Sequence, residues 1–344
     1  MRAVDLFAGP GGMTAGLKIA GYRVIAAVEI DPDAVAIYRA NHKGVRMFCN
    51  DIRKLAVGRV MNALGLKPGD LDLLAGCPPC QGFSTLTTLN GSVAVDDPRN
   101  NLINDYVRFV RVMRPRALLM ENVPGLLRDP RMVRALEILE SLGYPVKSGT
   151  RVVDAVGFDV PQHRRRMVMM STKGKAVPYP TPNPVKLTVR QAFADLPKAG
   201  SSGDPAHDHG ERRSTAILDL IQLIPKNGGS RASLGPDRQL ACHKKTAGFY
   251  DIYGRMSWER PAPTITSGCT NPSKGRFLHP DEDRAITLRE AAMLQGFDRN
   301  YRFDVTMGKE AIAKMIGNAL PPPFVSAHAK EIARVLRGDR GTID

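Results

Sequence analysis

A doubly wound, mostly parallel α/β sheet with a smaller, loop-rich second domain is the fold this sequence predicts, on three observations. Short apolar runs alternate with helix-periodic stretches through residues 1–172, the pattern of strands buried on both faces. A glycine-rich turn, GPGG, directly follows the first apolar run and precedes the first helical pattern. The texture then changes: residues 173–280 are rich in Pro, Gly, Ser and Asn and have weak periodicity.

Taken in order, RAVDLFAG (2–9) reads as a strand and MTAGLKIAGY (13–22) as a helix. RVIAAVEI (23–30) is the next strand and PDAVAIYRANH (32–42) the next helix. LDLLAG (71–76) and RALLMENV (116–123) read as later buried strands, with NDYVRFVRVMRP (104–115) a helix leading into the second. PYPTPNP (178–184) reads as a linker. LREAAMLQGF (288–297) and EAIAKMIGNAL (310–320) are helical again, and VSAHAKEIARVLRG (325–338) is a last helix expected to pack on the first domain. The expected division is a first domain over 1–178, completed by 308–344, and a second over 179–307.

Composition narrows the partners. Of the 344 residues, 43% are hydrophobic, ample for a core, and no apolar run approaches the length of a membrane span. Lys and Arg number 49 against 34 Asp and Glu, a net charge of +15 that suits a polyanion. Five cysteines without a regular framework point to a reducing compartment, and the N-terminus has no signal-peptide pattern. A cytoplasmic protein is the expectation.

Two stretches carry chemistry. In DLFAGPGG (5–12), Gly9, Gly11 and Gly12 sit between strand and helix, where backbone can approach a ligand. Glu29 ends the next strand, where a carboxylate can hold ribose hydroxyls, and Asp51 ends a third strand-like stretch, where it could receive an adenine amino group. The turn lacks the G-x-G-x-x-G spacing of a dinucleotide site, so an adenosine-type cofactor without a phosphate chain fits better, which points to S-adenosylmethionine. The second stretch is GCPPCQGFS (76–84). Its prolines force a turn after a strand and present Cys80 at the strand's carboxyl end, a candidate nucleophile. CPPC could also be a redox pair or half a zinc site, but Cys49, Cys242 and Cys269 form no second pair, and no metal is expected.

These blocks, in this order, resemble the cytosine-5 DNA methyltransferases of bacteria. The resemblance rests on DLFAGPGG (5–12), Glu29, Asp51, PPCQGFS (78–84), ENV (121–123), QHRRR (162–166), RPAPTIT (260–266) and GNALPPP (317–323). It implies a Rossmann-like S-adenosylmethionine domain joined to a target-recognition domain that reads duplex DNA, with S-adenosylhomocysteine as product. It implies cofactor contacts from Phe7, Ala8, Gly9, Gly11, Gly12, Glu29, Ile30, Asp51, Ile52, Pro79, Leu102, Asn318 and Ala319. Catalysis falls to Cys80, Glu121, Arg164 and Arg166. Cys80 attacks carbon 6 of a flipped cytosine, Glu121 sits at N3 and the exocyclic amine, Arg166 holds the carbonyl at position 2, and Arg164 orients Cys80 or its loop. Gln81, Ser84, Gln162, Arg164, Arg165 and Thr264 are expected toward DNA, and residues 81–100 form a closing loop with Gly82 and Gly91 as hinges. Cys77 departs from the pattern and gains no role. The expected partner is double-stranded DNA, with a cognate restriction endonuclease as a functional partner or, for a solitary methylase, none; the expected state is a monomer. Two other readings stay open at this point: a tRNA cytosine-5 methyltransferase, and a DNA-binding regulatory protein with a silent site.

Overall fold

The computed structural model describes residues 1–79, 97–211, 213–235 and 251–338. The expected strand-helix alternation is there. Eight strands form one sheet: β1 (Arg2–Leu6), β2 (Arg23–Glu29), β3 (Arg46–Cys49), β4 (Leu73–Gly76), β5 (Ala117–Asn122), β6 (Thr150–Asp154), β7 (Arg165–Thr172) and β8 (Lys175–Ala176). Their order is β3-β2-β1-β4-β5-β7-β6, with β8 on β7. Strands β1 to β5 run parallel, while β7 is antiparallel to β5, β6 and β8.

The register aligns the strand ends. Leu6 pairs with both Val28 and Gly76, Gly76 with Met120, and Glu29 with Cys49. The residues just past β1, β2, β3, β4 and β5 therefore emerge along one edge of the sheet. Strand order reverses between β1 and β4, the place where open α/β sheets bind ligands. The core beneath is largely apolar: Val4, Leu6, Leu74, Leu118, Met120 and Phe109 are each 0% exposed.

Helices follow their end signals. In chain order, the longer helices of the first half are α1 (Gly12–Ile19), α2 (Pro32–Asn41), α3 (Val57–Leu64), α4 (Leu102–Met113) and α5 (Pro130–Ser141). Asp31 caps α2 and Asp129 caps α5, each with proline at the first helical position. Beyond them lie α6 (Thr215–Leu223), α7 (Leu288–Leu294), α8 (Lys309–Asn318) and α9 (Pro322–Gly338). Thr287 and Glu290 form a reciprocal capping box at the start of α7.

The chain divides into two compact units. The first comprises residues 1–158, 165–182 and the segment from 320 onward; the second comprises 159–164 and 183–319. So α8 groups with the second unit and α9 with the first. Within the first unit α9 packs along α1. A side chain at Gly16 would put its Cβ 2.5 Å from both the Pro322 carbonyl oxygen and the Val325 Cβ, so that contact requires glycine.

The second unit has little sheet. Among its described residues, strand pairing is limited to isolated bridges such as Arg255 with Leu278. A buried arginine supplies the missing bonds. Arg255, 0% exposed, donates to the carbonyls of Ile221 (2.8 Å), Ile224 (3.0 Å), His279 (3.1 Å) and Glu282 (2.6 Å). Around it Leu220, Ile221, Leu234, Tyr253 and Leu278 form a small apolar cluster. Among the described residues no helix is long and apolar enough to cross a membrane.

Candidate active site

The turn after β1 is shaped by three positive φ angles: Phe7 (61°), Gly9 (52°) and Gly11 (106°). Its glycines serve different ends. A Cβ on Gly12 would lie 2.3 Å from the Leu320 carbonyl oxygen, whereas one on Gly9 would meet nothing within 4 Å. Gly12 is therefore needed for packing, and Gly9 for its left-handed backbone beside open space. Glu29 fastens this turn to the end of β2. Its Oε2 accepts the Gly9 N–H at 2.8 Å, and its Oε1 accepts those of Ile30 (2.8 Å) and Asp31 (2.9 Å). Ile30 is an exposed apolar side chain beside it, while Ala8 and Ile52 are buried and Phe7 and Leu102 half-buried.

Beneath the turn lies a buried network that sequence reading missed. Asp5 is 0% exposed; Thr14 Oγ1 donates to its Oδ2 at 2.7 Å and lies 2.7 Å from the Tyr38 hydroxyl. Burial pushes the Asp5 carboxyl up to about 7, with the nearby Glu29 charge adding to the effect. A charged residue inside an otherwise apolar strand was the available signal.

Asp51 reaches the expected edge, capping the short helical turn Ile52–Lys54, but its carboxylate is already engaged. Arg53 grips both oxygens, Nε at 2.9 Å from Oδ1 and Nη2 at 2.6 Å from Oδ2, and holds the carboxyl below its usual range. The side chain of Arg53 is 57% exposed, so this clamp is a weak, solvent-screened one.

At the ends of β4 and β5, Glu121 meets Arg166 and Cys77. Glu121 is 4% exposed. Its Oε1 lies 2.9 Å from Nε of Arg166, and its Oε2 accepts a hydrogen bond from the Cys77 thiol at 2.9 Å. Antiparallel β7 makes this possible, because Arg166 comes just before the residue that pairs with Asn122. Asn122 in turn donates from Nδ2 to the Pro78 carbonyl oxygen at 2.8 Å, tying the turn after β4 to β5. Pro79 is half-buried in that turn. Cys80, Gln81, Gly82, Ser84 and Gly91, on which the nucleophile and loop expectations fall, lie outside the described residues.

The QHRRR block straddles the two units. Arg165, exposed, and Arg166 belong to the first; Gln162 and Arg164 belong to the second. Arg164, 3% exposed, donates to the carbonyls of Ile265 (2.9 Å), Gly317 (2.9 Å) and Ala319 (3.2 Å). Gln162 was expected to face DNA, and here the structure corrects the reading. It is 0% exposed, its Oε1 accepts the Ile265 N–H at 2.9 Å, and its amide donates to the Leu294 carbonyl and to Gln295. A side chain with every polar group bound internally has none left for DNA. Thr264 is half-buried and donates to the His163 carbonyl at 2.6 Å. Asn318 is exposed at the end of α8, and Ala319 is buried. A Cβ on Gly317 would lie 2.2 Å from the Thr266 carbonyl carbon, so backbone meets backbone there. Blocks separated by about one hundred to one hundred and fifty residues are thus stitched together by Gln162 and Arg164.

A sheet of this order, with a glycine turn tied to an acidic strand end, is consistent with a Rossmann-like methyltransferase fold. The chain belongs to the C-5 cytosine-specific DNA methylases: the model of that family matches residues 1–334. It is 34% identical over 350 residues to the Type II methylase M.HgiDII of Herpetosiphon aurantiacus, covering 97% of this chain and 96% of that one. It is 32% identical to the Type II methyltransferase M1.HphI of Haemophilus parahaemolyticus, covering 96% and 86%. The fold is similar, at a TM-score of 0.71 and 25% identity, to a solved DNA modification methyltransferase encoded within an E. coli prophage, covering 98% and 99%. The protein is a DNA (cytosine-5-)-methyltransferase.

Proposed function

We propose that the chain transfers the methyl group of S-adenosylmethionine to carbon 5 of a cytosine flipped from a specific site in duplex DNA, as the modification partner of a restriction endonuclease. The single observation that carries this reading is the buried Glu121, held by Arg166 beside the turn that leads to Cys80. The Type II relatives support the restriction-modification setting.

The residues at the glycine turn fit the cofactor. Gly9 leaves open space, Glu29 is fixed for ribose hydroxyls, and exposed Ile30 offers an apolar surface for a purine. Phe7, Ala8, Gly11, Gly12, Asp51, Ile52, Pro79 and Leu102 complete the proposed cradle on the first unit. Asp51 accepts the adenine amine only by loosening Arg53, which a solvent-exposed clamp permits. The bound cofactor supplies an activated methyl group.

The chain's own residues prepare the base. The Cys80 thiolate adds to carbon 6, making carbon 5 nucleophilic, and leaves after methyl transfer and loss of the carbon-5 proton. Glu121 meets N3 and the exocyclic amine, offsetting the charge that the attack builds. Arg166 holds Glu121 and the carbonyl at position 2. Arg164 acts through the backbone it fixes at residues 265, 317 and 319. Arg165, Thr264, Gln81 and Ser84 face DNA, and the second unit reads base edges in the major groove.

The test is transfer of label from radiolabelled S-adenosylmethionine to mixed-sequence duplex DNA or to tRNA, with a Cys80→Ser control. Label recovered as 5-methylcytosine in DNA, and absent with the control, supports the reading. Label in tRNA alone overturns it.

A further inference from the structure

Cys77 has no part in the reaction described above, yet its thiol takes one of the two oxygens of the buried carboxylate. We propose that Cys77 is a positioning residue for Glu121, which holds Oε2 in place until the donor edge of the extruded cytosine replaces it. The proposal rests on Glu121 as the carboxylate that meets the base.

Three features converge on it. A carboxylate 4% exposed needs a donor for each oxygen, because a bare buried acceptor is costly. Nε of Arg166 lies 2.9 Å from Oε1, and the Cys77 thiol donates to Oε2 at 2.9 Å. The thiol is also fixed by main-chain contacts on both sides. The Cys77 N–H donates to the Leu6 carbonyl at 3.3 Å, and the next carbonyl, of Pro78, accepts from Asn122, the neighbour of Glu121. Sγ is thus set by the same strand ends that set Glu121. Finally, a thiol is the weakest donor that could stand there. It keeps the carboxylate on one rotamer while the site is empty, and the exocyclic amine of cytosine displaces it at little cost. A serine or an amide would compete with the base more strongly.

Steady-state kinetics of the full-length protein on methylatable duplex DNA test this, using Cys77→Ala, Cys77→Val, Cys77→Ser, Glu121→Gln and the double variant Cys77→Ala/Glu121→Gln. Without a donor, Ala and Val are each expected to lower kcat about tenfold, with KM for DNA and for S-adenosylmethionine within about twofold. Serine, which restores a donor, is expected to recover kcat to within about threefold while raising KM for DNA. In the double variant the loss should equal that of Glu121→Gln alone, since the partner of the thiol is already changed. Thermal unfolding of each variant separates a misfolded protein from a mispositioned carboxylate, and Val keeps nearly the volume that Ala removes. Full activity in Cys77→Ala, a serine variant no better than alanine, or losses that multiply in the double variant would each overturn the proposal. A fully active Glu121→Gln overturns the reading of Glu121 itself, and this inference with it.

Discussion

Glu29 and Glu121 lie at the ends of two parallel strands of one sheet, and the chain equips them in opposite ways. Glu29 is held by backbone: three N–H groups, from Gly9, Ile30 and Asp31, bind its two oxygens. Glu121 is held by side chains: a guanidinium from β7 and a thiol from the turn after β4. Backbone donors are positioned by the local course of the chain, and they keep the Glu29 carboxylate in register with the turn. Side-chain donors are positioned by tertiary packing, and they can give way when a base arrives. In the proposed function, the Glu29 end is constant and the Glu121 end is exchanged.

The widest separation of the two carboxylates should come from Glu121→Gln. Methyl transfer is expected to fall by about 10²–10³, the scale of losing one transition-state stabiliser, while cofactor affinity measured by calorimetry stays within about twofold. An equal loss of both would erase the distinction.

Next in size is Gly12→Ala, which breaks the support of the cofactor end. Its Cβ would meet the Leu320 carbonyl oxygen at 2.3 Å, and a loss of about 3 kcal/mol in thermal or denaturant unfolding is expected. Gly9→Ala has room but a φ of 52°, and should cost about 1–2 kcal/mol. Reversal of that ranking would show that the left-handed backbone at Gly9, not packing at Gly12, limits the turn.

Glu29→Ala should weaken cofactor binding by about tenfold or more and leave kcat at saturating cofactor nearly intact, the converse of Glu121→Gln. Equilibrium binding beside saturation kinetics decides it.

The smallest effect concerns the carboxyl beneath the turn. Asp5 is raised from 3.8 to about 7. A carboxyl raised on folding favours the native state while protonated, so its contribution is whole below about pH 4 and is lost as pH climbs through 7. Asp5→Asn, which still accepts from Thr14, should flatten the fall of Tm over that window and unfold a few degrees higher at pH 8. Parallel Tm–pH curves would sink this assignment.

Much of the first unit was legible because its signals are local. Four of the five parallel strands announce themselves as apolar runs, and the prolines of PYPTPNP mark a stretch without helix or strand. The antiparallel β6 and β7 were not foreseen. β7 opens with two arginines, and the strand's identity comes from pairing with β5, which no local pattern carries. The helices α3 and α5 also went unread, although α5 has an aspartate cap and a proline start. At the site, motif order gave the residues but not their partners. Gln162 is a polar residue in a basic block, and only the fold shows that it binds the second unit's backbone. The bond from Cys77 to Glu121 spans 44 residues and has no sequence signature at all.

The contact of α1 with the segment that opens α9 has a consequence for biosynthesis. Gly12 and Gly16 are shaped to receive residues 320–325, which leave the ribosome long after β1 and α1. The glycine turn is thus translated some three hundred residues before its packing surface. Until residues 320–325 emerge, a nascent chain carries α1 with one flank bare, so the glycine turn reaches its final form only after they do.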